Sequence, residues 1–551
     1  MKFYFGAELN VERQSALWRR IVAEPPPVLA VDSETISLKD RTILGVGVAI
    51  SQHESFYITE DDSGFNDLLN LLRNPLITKV YHNAPYDLRV MRKYQVDYAN
   101  IEDTSIAARL SGISGMLEEA AVWAGVEVRS VANVLAEYGV TRMDQLPNKV
   151  VARKCCVDCE GTFALWEYLQ PTIHSDYYQT ERTLIPVLEI ISQQGIKLDA
   201  QRNAELAAHY TRDYLYYKTL ASGMGFNPGS GFEVGYMLSE AGAFLPFTES
   251  KKQLATTDSV LSKITAAKAI PIAQLTLMYR KAQKQLSTFI TPYTGLDRAY
   301  TTLHLNAATG RISGTSAGQD DPDRNLLNIT KRADRLLPAH LRIRSQFIPD
   351  DGVLTQADDS QAEMRILAYM SGDVRMLAVF AVRGDIHSDT ERALWGTDGP
   401  NRLIAKIFNY AMLYGADAST IADGVGTADV DMVADRVRLW SLAYPQAWAW
   451  RQDQIITGIK SGYVETLYGR KMPIPMEFGE KHAANCCINY PIQGTAADIF
   501  KRTLLVWPLR ELLLPVHDER VSNGVVKIPT GIEDISPVHI PIEVNENARW
   551  Q

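Results

Sequence analysis

Asp358, within Asp358-Asp359-Ser360-Gln361-Ala362-Glu363-Met364-Arg365, and Asp518, within His517-Asp518-Glu519, are candidate ligands for a pair of divalent ions. Mg²⁺ prefers oxygen donors, so carboxylates far apart in the chain must converge to hold it. Between them Arg402, Lys406, Tyr410 and Tyr414 recur every fourth residue. Each step of four advances about 400° around a helix, which predicts that all four share one face. Two cations followed by two aromatic rings make a rail for a triphosphate and a platform for a base. Phosphoryl transfer from a nucleoside triphosphate asks for little more: two metal ions activate the attacking 3′ oxygen and stabilise the leaving pyrophosphate. Lys406 could protonate that pyrophosphate as a general acid. Alone, Asp358 reads equally as a turn residue and the Arg402 series as an exposed amphipathic helix. The combination favours the chemical reading.

Asp32 and Glu34 form a second acidic pair. Two apart on a strand, they point to one side and can share a metal ion. The apolar run Val28-Leu29-Ala30-Val31 predicts that strand, entered by a turn at Pro25-Pro26-Pro27, and Thr42 to Ile50 predicts its neighbour. Lys79-Val80-Tyr81 predicts a further strand, leading through His82-Asn83-Ala84-Pro85-Tyr86-Asp87 into a helix. Strand and helix thus alternate to about residue 170, as in an α/β domain. From Asp176 to Thr291 the pattern turns helical, with Leu184, Val187, Leu188 and Ile191 at three- and four-residue spacing and Gly195 as a stop. A turn at Asn227 to Gly231 and a long cationic helix over Thr276 to Ile290 complete a helical arm. Val353 to Ala357 reads as the strand running into Asp358, Asp373 to Ala484 as mostly helix, and Val525 to Val544 as a return to short strands.

A chain of 551 residues, 46% hydrophobic and 22% charged, should fold into several globular domains. Its formal charge of −9 argues by itself against a nucleic-acid partner. Acids gathered for metal chemistry lower that total without saying where positive surface lies. Lys268, Arg280, Lys281 and Lys284 gather on one predicted helical stretch, and Lys331, Arg332, Arg335, Arg342 and Arg344 form a second basic region. Either alone reads as a solvated face. The cysteines Cys155, Cys156, Cys159, Cys486 and Cys487 make no disulfide framework, and Cys156 and Cys159 lack the second ligand pair that zinc needs. No apolar run approaches bilayer length, and the first residues lack the apolar core of a secretion signal. The expected location is the cytoplasm, that of a host cell if the chain is viral, with no membrane contact.

These motifs, in this order and at compatible separations, resemble family A DNA polymerases of the bacterial repair and bacteriophage type over nearly the whole chain. Asp358 to Arg365 is similar to the family's first carboxylate motif, Arg402 to Gly415 to its fingers helix, and Val516 to Glu519 to its last carboxylate motif. Further similarity lies at Ala308 to Ser313, Gly384 to His387, Gly462 to Arg470 and Pro491 to Asp498. The resemblance implies that Asp358 and Asp518 hold the metal ions. It also implies that Gln361, Glu363, His387, Arg402, Lys406, Tyr410 and Tyr414 bind the nucleotide, and that Arg311, Asn489, Gln493 and His517 contact DNA. Minor-groove acceptors occur with every base pair, so contacts there test pair shape without reading sequence. Glu363 would fill the space a ribose 2′-hydroxyl needs, implying a DNA product. Tyr410, where some members carry Phe, implies tolerance of dideoxynucleotides. The chain departs from the family at Asp359, often Tyr, at Ala362, often a larger aliphatic, at Ala411, usually Gly, and at Asn485, where many relatives put Arg. The segment after Glu519 is also short for the family.

By the same resemblance Asp32, Glu34, Asp87 and Asp158 are the four carboxylates of a 3′→5′ exonuclease, which holds two metal ions to activate water against the terminal phosphodiester. Lys154 departs from it. Relatives place Tyr four residues before the last carboxylate, where its hydroxyl orients the attacking water.

The expected architecture is multidomain, α/β and α+β. A ribonuclease H-like exonuclease domain over 1–175 and a thumb over 176–300 precede a right-hand palm over 301–375 and 489–551, with fingers over 376–488 between its parts. The expected enzyme is a monomer that extends a primer on template DNA with deoxynucleoside triphosphates and proofreads its product. Two Mg²⁺ per active site are implied, with Mn²⁺ as a substitute. The lack of a separate 5′-nuclease domain suggests bacteriophage genome replication. Three rivals account for less: a nuclease whose second half only clamps DNA, a noncatalytic end-binding protein, and a single-subunit RNA polymerase. Asp358, Lys406 and Asp518 oppose the first, the second would leave two complete carboxylate sets without purpose, and Glu363 with the exonuclease-like half opposes the third. No long insertion between Arg182 and Thr291 marks a site for a processivity partner.

Overall fold

The computed structural model describes residues 11–38, 40–248, 252–314, 324–329, 337–427 and 429–551. Lys331, Arg332 and Arg335 of the second basic region lie outside the described residues.

Val28–Thr35 (β1) is an apolar run because it is sandwiched: the strand is covered on both faces and at both edges. Its sheet also holds β2 (Ile43–Ser51), β3 (Glu54–Ile58), β4 (Thr78–Tyr81) and β5 (Ile101–Asp103), in the order β3-β2-β1-β4-β5. β1 meets β2 antiparallel and β4 parallel. The parallel step from β4 to β5 needs a crossover, and α1 (Ala84–Val90) lies within it. The long helix α2 (Asn148–Tyr168) covers β1 and β2. Gly47 of β2, the register partner of Asp32, allows that approach. A Cβ at Gly47 would lie 2.6 Å from the Cys155 sulfur, so a larger residue would push α2 off the acidic strand.

α3 (Asp176–Gln194) carries the chain out of this region. Its Leu184, Ile185, Leu188 and Ile191 join one continuous core that runs from Trp18 and Leu29 through Phe347 to Leu512 and Trp550, so the two ends of the chain share a hydrophobic interior. α4 (Ala200–Gly223) and α5 (Ile270–Lys284) pack along each other as an arm. Ala221, Phe226, Val234, Leu238 and Ile272 form a separate small core at its end. The cationic helix expected over Thr276 to Ile290 is instead α5 followed by a π-helical turn at Gln285–Ile290, and Lys268 sits in the turn before it. The sequence pattern carried the cations but not the change of winding.

β6 (Leu354–Asp359) is an inner strand of the second main sheet. α6 (Ala362–Ser371), α7 (Ile386–Trp395), α8 (Arg402–Leu413) and α9 (Glu480–Leu504) follow, then β7 (Leu512–Val516), β8 (Glu519–Asn523) and β9 (Ile542–Asn547). The sheet order is β7-β8-β6-β9, antiparallel throughout. Met364, Ile386, Phe408, Met412, Trp440 and Ile492 form a core of their own that binds the helices to one another. The short strands expected over Val525 to Val544 are corrected by the structure. Residues 525–541 hold only a 3₁₀ turn at Ile532–Asp534, and the sole strand there begins at Ile542. Pro529, Pro537 and Pro541 remove ladder donors from that stretch. No helix among the described residues is long and apolar enough to cross a membrane.

Candidate active sites

The carboxylates of the second sheet are brought together by register. Asp358 pairs with Glu519 across β6 and β8, and the Asp359 N–H donates to the Asp518 carbonyl at 3.0 Å. Asp518 therefore sits at the hairpin end of the neighbouring strand, next to Asp358. His517 turns that hairpin with φ of +58°, a left-handed conformation that costs any residue with a side chain and recurs at functional turns. Glu519, the third acid nearby, is engaged in structure: it accepts from Arg344 at 2.8 Å and from Gln356 at 2.6 Å. Asp358 and Asp518 are the pair with the donor chemistry for hard divalent ions.

Facing them, α6 begins at Gln361, itself left-handed with φ of +53°. Its side-chain oxygen accepts from the Ile386 N–H at 3.2 Å, which ties the Asp358 loop to the start of α7. Asp385 caps α7 by accepting from the His387 N–H and also accepts from Arg402 Nε at 2.5 Å. Arg402 is thereby held at the root of α8. Lys406 lies 5.9 Å from the centre of the Tyr410 ring, and Tyr410 is 5.9 Å from His387 and 6.1 Å from Tyr414. The four-residue spacing does make one wall, with one correction: α8 ends at Leu413, and Tyr414 is the residue that caps it.

The protonation of His387 can be worked out. The Trp440 indole can only donate, and it donates to Asn409 Oδ1 at 3.0 Å, which turns the Asn409 amide nitrogen toward His387 Nδ1 at 3.1 Å. Nδ1 is then an acceptor, so Nε2 carries the proton. Burial, with Lys406 and Arg402 nearby, pushes the imidazole pKa down to about 4 against the opposing pull of Asp385. His387 Nε2 is buried and makes no hydrogen bond. The result is a neutral ring with an unused N–H donor beside two cations, a good partner for an anionic oxygen.

Glu363 closes the floor. It accepts from Arg311 at 2.6 Å and from the Tyr414 hydroxyl at 2.9 Å. Burial still holds its pKa above the usual carboxylate range, opposed by Arg311 and Tyr414 and reinforced by Asp518. Gln493 lies beside the Tyr414 hydroxyl. Asn489 Oδ1 is buried and makes no hydrogen bond. Burial, then Arg311 and Arg344, lower the pKa of His517. Asp358, Gln361, Glu363, His387, Arg402, Lys406, Tyr410, Tyr414, Gln493, His517, Asp518 and Arg311 thus belong to one connected neighbourhood.

Sequence reasoning missed a pair behind it. Arg520, fully buried, donates to both oxygens of Asp359 at 2.8 and 3.2 Å and to the Thr503 hydroxyl, while its guanidinium lies 4.5 Å from the Phe500 ring. Asp359 follows Asp358 and Arg520 is two residues past Asp518, so this ion pair braces the two acid-bearing strands from behind. The departure at Asp359 was the available signal. Asp385 and Asn409, which hold Arg402 and His387, were also not singled out as site residues.

The first sheet holds the other acids. Asp87, on α1, accepts from the backbone N–H and hydroxyl of Ser33 at 2.8 and 2.6 Å, which fixes it beside Asp32 and Glu34. Asp158 comes down from α2. Lys154, one turn earlier on that helix, has its ammonium 2.5 Å from Asp158 Oδ2 and 3.2 Å from Glu34 Oε1. Burial raises Glu34 to about 8 and Asp158 to about 7, with Lys154 opposing and Asp32 reinforcing. Asp87 is raised by burial and by Asp32. Ligand atoms of Asp32, Glu34 and Cys155 lie within 4.8 Å of one another. The donor set fits a metal ion, since acids this close do not all ionise without added positive charge.

A sheet carrying acids under a helix, joined to a second sheet carrying acids beneath a cationic and aromatic wall, gives the chain two separate clusters of carboxylates. The family model for DNA polymerase family A matches residues 200–524, and that for a 3′-5′ exonuclease matches residues 12–126. The chain belongs to DNA polymerase family A, with a 3′-5′ exonuclease domain toward its N-terminus. It is 30% identical over 554 residues to DNA polymerase I of Chloroflexus aurantiacus, covering 90% of this chain and 57% of that protein. It is 28% identical over 607 residues to DNA polymerase I of Pseudomonas aeruginosa, covering 96% and 64%. The chain thus spans well under two thirds of the first relative's length and just under two thirds of the second's. Its fold is similar to that of the POL domain of Pol1 from M. smegmatis, solved in complex with DNA primer-template and dNTP. The TM-score is 0.75 at 19% identity, covering 98% of each chain. The exonuclease match ends before α2, the helix that carries Lys154 and Asp158.

Proposed function

We propose that the protein is a template-directed DNA polymerase that adds deoxynucleotides to a primer 3′ end and removes them with a 3′→5′ exonuclease. The observation that carries the reading is the pairing of β6 with β8, which sets Asp358 beside Asp518 opposite the wall of Arg402, Lys406, Tyr410 and His387. The two acids would hold Mg²⁺, or Mn²⁺ in its place, which would supply charge neutralisation and polarise the reacting oxygens. Arg402 and Lys406 bind the triphosphate, and the neutral His387 donates its Nε2 proton to a phosphate oxygen. Lys406 holds a proton for the leaving pyrophosphate. Tyr410 and Tyr414 give the incoming base a stacking surface, and Gln361 sets the loop between Asp358 and α7.

Glu363, fixed from two sides by Arg311 and Tyr414, occupies the volume beside the sugar and excludes a ribose. Arg311, Asn489, Gln493 and His517 face the primer-template. Asp32, Glu34, Asp87 and Asp158 would hold metal, which would activate the water that cleaves the terminal phosphodiester. In domain terms, 1–175 is the exonuclease, 176–300 the thumb, 301–375 and 489–551 the palm, and 376–488 the fingers. The protein works as a monomer in the cytoplasm. Service in bacteriophage replication is the finest part of this reading, and the relatives compared are bacterial; loss of phage DNA synthesis on disrupting the gene in a phage genome tests it.

The whole reading is tested by extension of a labelled primer on template DNA in Mg²⁺. Wild type should elongate the primer with deoxynucleotides and not with ribonucleotides, and Asp358→Asn should elongate it about a thousandfold more slowly. Equal use of ribonucleotides would remove the role given to Glu363, and no elongation by wild type would remove the function.

A further inference from the structure

The exonuclease acids differ from a bare four-carboxylate site because a cation is already among them. Lys154 lies on the same face of α2 as Asp158, four residues on, and its side chain is only 8% exposed. Its ammonium touches Asp158 and Glu34, at 2.5 and 3.2 Å, while ligand atoms of Glu34 and Asp32 converge with the Cys155 sulfur. Asp158 is buried, and its Oδ1 makes no hydrogen bond, so the acid has donor capacity beyond its ion pair. Asp87 is tied to Ser33 through one oxygen. The cluster is therefore split. One half, around Asp158 and Glu34, is occupied by a fixed positive charge. The other half, around Asp32 and Glu34, offers oxygen donors to a hard cation.

We propose that the Lys154 ammonium is the resident second cation of the exonuclease site, so that Asp32, Glu34, Asp87 and Asp158 take one divalent ion instead of two. The inference rests on the exonuclease reading above. A dication bridging Asp158 and Glu34 would have to sit against the ammonium, like charge against like charge in a buried setting where screening is weak. Lys154 supplies part of the positive charge that a second ion would bring, held by the fold and independent of metal concentration. A tyrosine at the same place carries no charge and leaves that half open.

The test counts Mn²⁺ ions by electron paramagnetic resonance on the full chain, in an Asp358→Asn, Asp518→Asn background that silences the other site. With Lys154 in place, one ion lost on Asp32→Asn is expected. Lys154→Tyr should raise the count to two and produce the exchange-broadened signal of neighbouring Mn²⁺ ions, and Lys154→Arg should keep it at one. Primer extension by Lys154→Tyr without the background changes reports that the chain has folded, and Lys154→Gln replaces it if it has not. Two ions with Lys154 present, or one in both Lys154→Tyr and Lys154→Gln, would overturn the proposal while leaving the exonuclease reading intact. No Asp32-dependent ion in any variant would overturn both.

Discussion

The two acidic sites solve the same electrostatic problem in opposite ways. At the second sheet, the cations Arg402 and Lys406 stand on a separate helix with Arg402 held by Asp385, and the buried Arg344 near Asp358 and Asp518 is engaged by Glu519. At the first sheet, Lys154 projects from the same helix as Asp158 and lies among the acids themselves. On the proposed function, cations held apart from the carboxylates are left for the substrate's phosphates. A cation inside the ligand set competes with metal. Where the positive charge is anchored thus decides what each group of carboxylates is ready to bind.

The comparison breaks most readily at its strongest point. Asp358→Asn or Asp518→Asn should lower kcat for extension by about a thousandfold, since metal charge stabilisation is worth several kcal/mol, while primer shortening persists. Steady-state extension kinetics check it. A loss under tenfold would mean that these acids do not hold the reacting metals.

The bracing of the two strands can be tested apart from metal. Arg520→Leu leaves Asp359 buried and unpaired, and should destabilise the protein by about 3–5 kcal/mol. The double change Asp359→Tyr, Arg520→Leu should recover most of that. Urea denaturation measures both, and an unrescued double variant would show that the pair does more than neutralise itself.

His387 sharpens the account of the phosphate wall. Asn409→Leu removes the group that fixes its tautomer and leaves the buried Trp440 donor unpaired, so the KM for deoxynucleotides should rise about tenfold, in line with about 1–3 kcal/mol for a buried polar group left unpaired. His387→Ala should raise it similarly, and the double variant no further. Additive effects would separate the two residues.

The smallest effect is in pH, and the two regions should show opposite signs. His387 titrates near 4 in the fold against about 6.5 unfolded. Below 6.5 the unfolded chain binds a proton that the folded one refuses, so this group's contribution to stability falls as pH drops from 6.5 to 4. Glu34 is raised to about 8, so the folded state holds a proton that the unfolded state has released, and stability falls as pH rises from about 4.5 through 8. In chelator, Glu34→Gln should reduce the upper slope, to which Asp158 and Asp87 also contribute, and His387→Gln the lower one. Unfolding midpoints from pH 4 to 8.5 report both.

Much of the local structure was legible. The apolar run at Val28 to Val31, the strand into Asp358 and the Arg402 helix were readable because each depends on a short period in neighbouring residues. Local pattern fails where partners are distant. Lys154 could be recognised as unusual, but its contact with Glu34 depends on Gly47 letting α2 settle onto β1. Asp359 and Arg520 are far apart in sequence and meet only through β-sheet register. The stretch over 525–541 is expected to hold short strands, yet its prolines cannot join a ladder.

The most direct measurement is a separation of functions on one labelled primer with a mismatched 3′ end, in Mg²⁺ with deoxynucleotides. We expect Asp358→Asn to shorten the primer without extending it, and Asp158→Asn to extend it without shortening it. If either substitution abolished both activities, or neither activity depended on its own acids, the division of the molecule into two independent metal sites would be contradicted.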